Sequence, residues 1–180
     1  MTILRFDYHA NAVKEFLAKS PDKLVLNVGC NDDPGSLKAI NKDNVINCDL
    51  YADDPHLNRP NNADVLFDCG KDRWPFEDKI ASCVVLGDIV EHLQRDEREH
   101  AFREALRVAD NIVITCPNDS RLYDDDGNIP LEPKGLFHVI VVDAESLKKS
   151  LIDTGWLIDD FQTVDYTFVP EGYFVTCRAS

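Results

Sequence analysis

The sequence predicts an α/β protein with a doubly wound, mostly parallel sheet that ends in an antiparallel hairpin. Short apolar runs alternate with charged amphipathic segments, as is typical of strands joined by right-handed helical crossovers. Four successive apolar runs end in Gly or Asp. Near the carboxyl terminus, two runs rich in β-forming residues flank the short Gly-containing turn 170–172, which predicts the hairpin.

The first strand candidate, residues 24–28, ends directly at Gly29. The run is short, partly β-branched and stopped by glycine, as a buried parallel strand would be. A glycine at this end of the first strand lets the backbone approach a bound nucleotide, because no Cβ holds the ligand off. We therefore expect a ligand at the Gly29 turn.

The second strand candidate, residues 45–48, ends in Asp49. This acid follows Gly29 by 20 residues, the spacing at which nucleotide-binding α/β units place a carboxylate for the ribose hydroxyls.

The next two strand candidates end in the same way. Residues 63–67 are followed by Asp68, and residues 81–86 are followed by Gly87 and Asp88. The carboxyl ends of parallel strands share one sheet edge, so this edge is predicted to carry several ligand-competent groups.

Helical spacing of apolar side chains predicts most of the helices. Residues 9–19 form a lid or a brace against the sheet, and 35–42 hold a short crossover helix. A charged amphipathic helix is predicted over 95–108. Another is predicted over 144–152, where Gly155 suits a left-handed cap.

The remaining strands follow from apolar runs. Residues 111–116 are stopped by a proline, and a shorter run spans 156–158. The runs 163–169 and 173–177, joined by a short turn, form the expected β-hairpin.

Two loops bear on function. Residues 72–78 place two aromatic side chains around a proline, and they either plug the end of the sheet or line a pocket. Residues 117–137 form an acidic loop that we interpret as a lid. A calcium loop is not expected there, because Leu122 and Pro133 stand where the EF-hand spacing needs acids.

The formal net charge of −14 argues against a nucleic-acid partner, since affinity for nucleic acids depends on Lys and Arg neutralising phosphates. A tRNA-sized ligand held by a few residues stays open. Four arginines alternate with acids at helical spacing and are interpreted as a solvated helix face: Arg95, Arg98, Arg103 and Arg107.

The six cysteines never form a Cys-x-x-Cys motif, and most follow or lie in apolar runs. We interpret them as buried thiols in a reducing cytoplasm, and no metal site is expected. With no apolar run long enough for a leader or a membrane span, residues 1–180 are expected to form one cytoplasmic domain. Within it, 1–21 would be a helical extension.

In this order, the motifs resemble the class I S-adenosylmethionine-dependent methyltransferases, with a degenerate glycine motif. The resemblance covers about residues 22–178. Its carriers are the VLNVGC turn at Gly29, Asp49, Asp68, the WPFED loop, VVLGDIVEHL from Val84 to Leu93, and ITCPN from Ile114 to Asn118. The resemblance implies a three-layer, Rossmann-like sheet of about seven strands and S-adenosyl-L-methionine as the cofactor.

The resemblance also implies residue roles. The Gly29 turn would face the methionine part of the cofactor, Asp49 the ribose, Asp68 and its neighbour the adenine, and Gly87 with Asp88 the methyl group. The predicted cofactor-binding residues are Gly29, Cys30, Asn31, Asp49, Leu50, Asp68, Cys69 and Gly87.

The glycine turn departs from the family pattern Gly-x-Gly-x-Gly. The chain has Gly29-Cys30-Asn31-Asp32-Asp33, so two of the three glycines are missing. Asn31 could keep the backbone path, since Asn tolerates positive φ. An inward Asp33 carboxylate would favour a sulfonium and repel a phosphate, which argues against a dinucleotide.

Methyl transfer requires an aligned nucleophile, exclusion of water and, for a protonated acceptor, a base. The candidate catalytic residues are Asp88, His92 and His138. His92 could instead pin the helix to the strand. For the other histidines, His9, His56 and His100, structural or surface roles are expected.

The predicted function is therefore methyl transfer to an unidentified small molecule. Two alternatives stay open: a catalytically silent methyltransferase-like binding or scaffold domain, suggested by the missing glycines, and a nicotinamide-dependent oxidoreductase.

Overall fold

The computed structural model describes residues 5–30, 37, 43–51, 53–54, 59–60, 63–118, 142–165 and 171–180. The helices are α1 Arg5–Lys19, α2 Arg95–Val108 and α3 Ala144–Asp153, with a 3₁₀ helix at Val90–His92. The strands are β1 Leu24–Val28, β2 Val45–Asp49, β3 Asp53–Asp54, β4 Arg59–Pro60, β5 Val65–Leu66, β6 Ala81–Gly87, β7 Ala109–Pro117, β8 Trp156–Val164 and β9 Gly172–Ala179.

Seven strands form one sheet in the order β5-β2-β1-β6-β7-β9-β8, and β3 pairs with β4 apart from it. The pairs among β5, β2, β1, β6 and β7 are parallel, whereas β9 runs antiparallel to both β7 and β8. The predicted fold class is thus confirmed. The direction of winding reverses between β1 and β6, where open α/β sheets place their ligands.

Side chains alternate across the sheet and build a core on each face. On one face, Val25 and Val85 pack with Val13 of α1. On the other, Leu26 and Val84 lie in the cluster that contains the buried residues of α2 and α3. The three layers follow from this alternation, and α1 is a brace packed on the sheet.

Several predicted bounds are matched closely and others differ. The β8 strand is longer than predicted, because 156–158 and the polar residues after them form one strand with an irregularity between Ile158 and Asp160. As the edge strand, β8 tolerates polar side chains that an interior strand would not. The β5 strand has only two residues, and the predicted helix 35–42 lies outside the described residues except Leu37.

The aromatic loop plugs the end of the sheet. Trp74 is only 1% exposed, and its indole Nε1 donates to the carbonyl of Cys69 at 3.0 Å. Its ring lies 5.4 Å from that of Phe67. A residue so enclosed does not line an open pocket, so the first of the two alternatives holds.

The interpretation of the arginines as a solvated face is wrong for Arg98 and incomplete for Arg107. Arg98 is 1% exposed and donates from Nη2 to the Ser150 hydroxyl at 3.2 Å, joining α2 to α3. Burial lowers the pKa of this guanidinium. Arg107 donates to Glu104 and to the Trp74 carbonyl, which ties the aromatic loop to α2.

All six cysteines are buried, as predicted, and none of them is in a disulfide. Within the described ranges, no helix is long and apolar enough to cross a membrane.

Candidate functional site

The Gly29 turn follows β1 at the carboxyl edge of the sheet. Gly29 has φ +74°, and a Cβ on it would lie 2.9 Å from Cδ1 of Ile89. The backbone N–H groups of Gly29 and Cys30 both donate to the Cys48 carbonyl, at 2.9 and 3.1 Å. The turn therefore needs glycine for its conformation and for its packing, and β2 fixes its path.

Cys30 and Cys48 carry buried thiols at the start of this turn and in the neighbouring strand. Burial is the main cause that raises the pKa of Cys48, and the nearby Cys30 adds to it. Both thiols are buried, so a ligand would meet Cys30 through its main chain. Asn31, which follows, lies outside the described residues.

Asp49 ends β2 at the same edge. Its Oδ1 accepts the N–H of Leu50 at 2.7 Å, a bond that fixes the carboxylate against its own turn. Three large apolar side chains near this point are about half exposed: Leu50 (45%), Tyr51 (51%) and Leu66 (50%), the last being the ladder partner of Asp49 on β5. A carboxylate beside exposed apolar side chains suits a ligand with a polar sugar and a flat ring.

Asp68 and Cys69 stand after β5. The Asp68 carboxylate accepts the N–H of Gly70 at 3.0 Å and lies 3.4 Å from the Lys71 ammonium, so it shapes its own turn. Burial raises the pKa of Cys69 to about 12. Any contact of these two residues with a ligand would therefore rely largely on the backbone.

Gly87 and Asp88 lie where β6 ends. Asp88 has φ +54°, an uncommon conformation for a residue with a side chain, and its N–H donates to the Thr115 carbonyl at 3.0 Å. The Thr115 hydroxyl donates to Asp88 Oδ1 at 3.3 Å. A Cβ on Gly87 would lie 2.7 Å from Cε1 of His9, so only glycine leaves room for that ring.

His9 and Thr115 were not predicted to belong to this site. His9 is buried, 5% exposed, and its Nε2 lies 3.0 Å from the Thr115 hydroxyl oxygen. A signal was present, since His9 stands four residues before the inward Val13 and therefore on the same helix face. Thr115 lies within the ITCPN motif.

His92 ends the 3₁₀ helix with its side chain 34% exposed, and its Nε2 lies 4.0 Å from Oε1 of Glu91. Glu91, a buried carboxylate that sequence reasoning missed, also lies near the Cys116 thiol. Burial first, and then Glu91, raise the pKa of that thiol. His138, the third predicted catalytic residue, lies outside the described residues, as does most of the predicted lid.

A metal centre finds no support among the described residues. They contain no group of three or more His, Cys, Asp or Glu side chains that could hold a metal ion.

No protein-family model matches the chain, and no curated protein matches it in sequence. Solved structures do share its fold. An S-adenosylmethionine-dependent methyltransferase from Clostridium acetobutylicum superposes with a TM-score of 0.66 at 10% identity, covering 98% of this chain and 93% of that one. Magnesium protoporphyrin IX methyltransferase from Synechocystis, solved with bound S-adenosylhomocysteine, gives 0.62 at 14%, covering 96% and 82%.

A third similar structure is that of a protein named for a different reaction. The [4+2]-cyclase SpnF gives a TM-score of 0.60 at 13% identity, covering 94% of this chain and 81% of that one. At such identities the likeness shows the fold alone. The fold is that of the class I S-adenosylmethionine-dependent methyltransferases, so the expected resemblance is confirmed for the fold.

Proposed function

We propose that this chain binds S-adenosylmethionine and transfers its methyl group to a small-molecule acceptor. The observation that carries the proposal is Asp49. It ends β2 at the carboxyl edge, next to the point where the sheet changes its direction of winding, with exposed apolar side chains beside it. In the proposed complex, Asp49 would accept hydrogen bonds from the ribose hydroxyls, and the apolar side chains would offer surface to the adenine.

The resemblance to the methyltransferases implies the cofactor roles that we assign, and Asn31 is assigned from the sequence because it lies outside the described residues. The main chain of Gly29, Cys30 and Asn31 would hold the methionine part, and Asp49 with Leu50 would hold the ribose. The turn at Asp68 and Cys69 would border the adenine through its backbone. Gly87 would border the methyl group.

The charge of the chain supports a cationic cofactor over a phosphate-bearing one. The formal net charge is −14, and at the carboxyl edge an acid ends β2 while others follow β5 and β6. A sulfonium is favoured by such a field, whereas the pyrophosphate of a dinucleotide is repelled. This is the reason for preferring methyl transfer to nicotinamide-dependent oxidation and reduction.

S-adenosylmethionine would supply an electrophilic methyl group on a positively charged sulfur. The protein would align the acceptor atom with that methyl group, keep water out and remove the acceptor's proton where there is one. Asp88 is the described residue best placed for the proton, because its carboxylate is oriented by Thr115 where β6 ends. His92 and His138 are the further candidates.

A second function keeps one specific observation in its favour. The space that a Cβ would take at Gly29 is filled by Ile89, and the space at Gly87 is filled by His9. The packing around these two glycines is thus enough to require them, whether or not a ligand binds. A silent methyltransferase-like binding or scaffold domain would need them just as much.

Isothermal titration of the purified protein with S-adenosylhomocysteine tests the proposal, because this ligand needs no acceptor and is not consumed. We expect a dissociation constant in the micromolar range, which corresponds to a binding free energy of about −8 kcal/mol. A parallel titration with a reduced nicotinamide dinucleotide is the control and should give no heat. An absence of heat and of any thermal shift at millimolar S-adenosylhomocysteine would favour the silent domain.

A further inference from the structure

A series of hydrogen bonds, buried at His9 and Thr115 and half-buried at Asp88, links the amino-terminal helix to the end of β6. His9 Nε2 lies 3.0 Å from the Thr115 hydroxyl oxygen, and that hydroxyl lies 3.3 Å from Asp88 Oδ1. His9 and Thr115 are 5% and 0% exposed. Three elements, α1, β7 and the β6 end, thus meet through side chains inside the protein.

The donors and acceptors in this series of hydrogen bonds follow a fixed order. A threonine hydroxyl has a single hydrogen, and the Asp88 carboxylate can only accept. When that hydrogen points to Asp88, the bond between His9 and Thr115 requires His9 Nε2 to be the donor. A proton on Nε2 of His9 therefore orients the hydroxyl toward the carboxylate.

The backbone around these three side chains is shaped to fit their hydrogen bonds. Asp88 is held at φ +54° by the bond from its N–H to the Thr115 carbonyl. A backbone held in a sparsely populated conformation persists only where its surroundings over-determine it, and such sites cluster near functional groups. Gly87 leaves space for the His9 ring, since a Cβ there would lie 2.7 Å from Cε1.

We infer that His9 and Thr115 are positioning residues that hold the Asp88 carboxylate in a fixed orientation at the methyl end of the site. The inference rests on the proposed function, in which Asp88 faces the sulfonium and the acceptor. The Thr115 hydroxyl donates to the Asp88 carboxylate and orients it, and His9 keeps that hydroxyl from turning away. The amino-terminal helix therefore contributes to the site.

Two ligands that differ in charge at one atom test this role without an acceptor. S-adenosylmethionine is cationic at sulfur and S-adenosylhomocysteine is neutral there, so the ratio of their dissociation constants reports the potential at the methyl position. We expect the wild-type protein to bind the cationic S-adenosylmethionine more tightly than the neutral S-adenosylhomocysteine. Asp88→Asn should reduce that preference about tenfold, as expected from the loss of one charge–charge contact.

Thr115 offers a matched pair of variants. Thr115→Ser keeps the hydroxyl and should keep the preference, whereas the isosteric Thr115→Val removes it and should reduce the preference several-fold. His9→Gln, which retains a donor near the Nε2 position, should lie closer to wild type than His9→Leu. A role in packing alone would affect both ligands equally and leave the ratio unchanged.

The imidazole of His9 gives a readout that needs no ligand. In long-range ¹H–¹⁵N spectra, His9 is assigned by the loss of its signals in His9→Gln, and we expect a proton on Nε2. The shifts should be kept in Thr115→Ser and changed in Thr115→Val and Asp88→Asn. A neutral His9 with its proton on Nδ1 overturns the inference, because Nε2 would then take the only hydroxyl hydrogen of Thr115.

The possible failures are distinguishable. If neither ligand binds at millimolar concentration, the proposed function is overturned and the positioning role falls with it. If both ligands bind but the ratio is the same in Thr115→Val as in wild type, only the positioning role is overturned.

Discussion

Ile89 fills the space beside Gly29, its Cδ1, Cγ1 and Cβ atoms lying 2.9 to 3.1 Å from where a Cβ on Gly29 would stand. The contact joins the turn after β1 to the segment that follows β6. These two strands are neighbours in the sheet and lie on either side of the point where the direction of winding changes. The glycine turn is thus built against protein on one side. A ligand would approach it from another direction.

Gly29→Ala should lower the free energy of unfolding by about 1–3 kcal/mol, because φ is +74° and the new methyl group meets Ile89. Urea unfolding of both proteins measures the difference. In the double variant with Ile89→Ala, part of the loss should be recovered, since two of the three close atoms are gone. A Gly29→Ala protein as stable as wild type would contradict the described turn.

Asp49→Ala should weaken the binding of S-adenosylhomocysteine about 10- to 100-fold without unfolding the protein, because hydrogen bonds to a charged group contribute about 1.5–3 kcal/mol. Isothermal titration measures the affinity and circular dichroism the fold. The matched control is Asp159→Ala on β8, the outermost strand at the other end of the sheet from β2. This variant should bind S-adenosylhomocysteine as wild type does. Equal affinity in Asp49→Ala and wild type would show that the ribose is held elsewhere.

Arg98→Ala should lower the free energy of unfolding by about 2–4 kcal/mol, because it removes a large buried side chain and leaves the Ser150 hydroxyl without this donor. Arg103→Ala, on the same helix, removes an exposed pair with Glu99 and should change stability by less than about 1 kcal/mol. Urea unfolding of the two variants separates them. Similar losses in both would mean that Arg98 lies on the solvated face after all.

Patterns that are local in sequence were sufficient for much of the fold. The bounds of β1, β2 and α2 follow the sequence prediction closely, because apolar periodicity and the breakers at each end lie within the segment itself. The hairpin and the order of elements then restrict the topology. The two-residue β5 and the continuous β8 depend on pairing with other strands, which the local pattern does not contain.

Only those residues of the candidate site that lie at strand ends could be identified from the sequence. Asp49 and Gly87 were identified by spacing from Gly29 or by their place after an apolar run. The bond from His9 to Thr115 spans 106 residues, and that from Arg98 to Ser150 spans 52. In both cases a polar residue stands at an inward helical position, which the sequence shows, but its partner is known only once the helix is packed.

Asp143 caps α3, its Oδ1 accepting the N–H of Ser146 at 2.8 Å, and this bond lowers the pKa of the carboxyl group. A depressed pKa in the folded state means that the contribution is present above the ordinary value of about 3.9 and is lost as pH falls through the lower folded value. Asp143→Ala should therefore cost about 1 kcal/mol at pH 7 and progressively less below about pH 4. Urea unfolding across that range measures the difference. Asp143→Asn, which caps without a charge, should show a difference from Asp143→Ala that does not vary with pH. A difference between wild type and Asp143→Ala that is constant down to pH 2 would contradict the assigned role of the carboxylate.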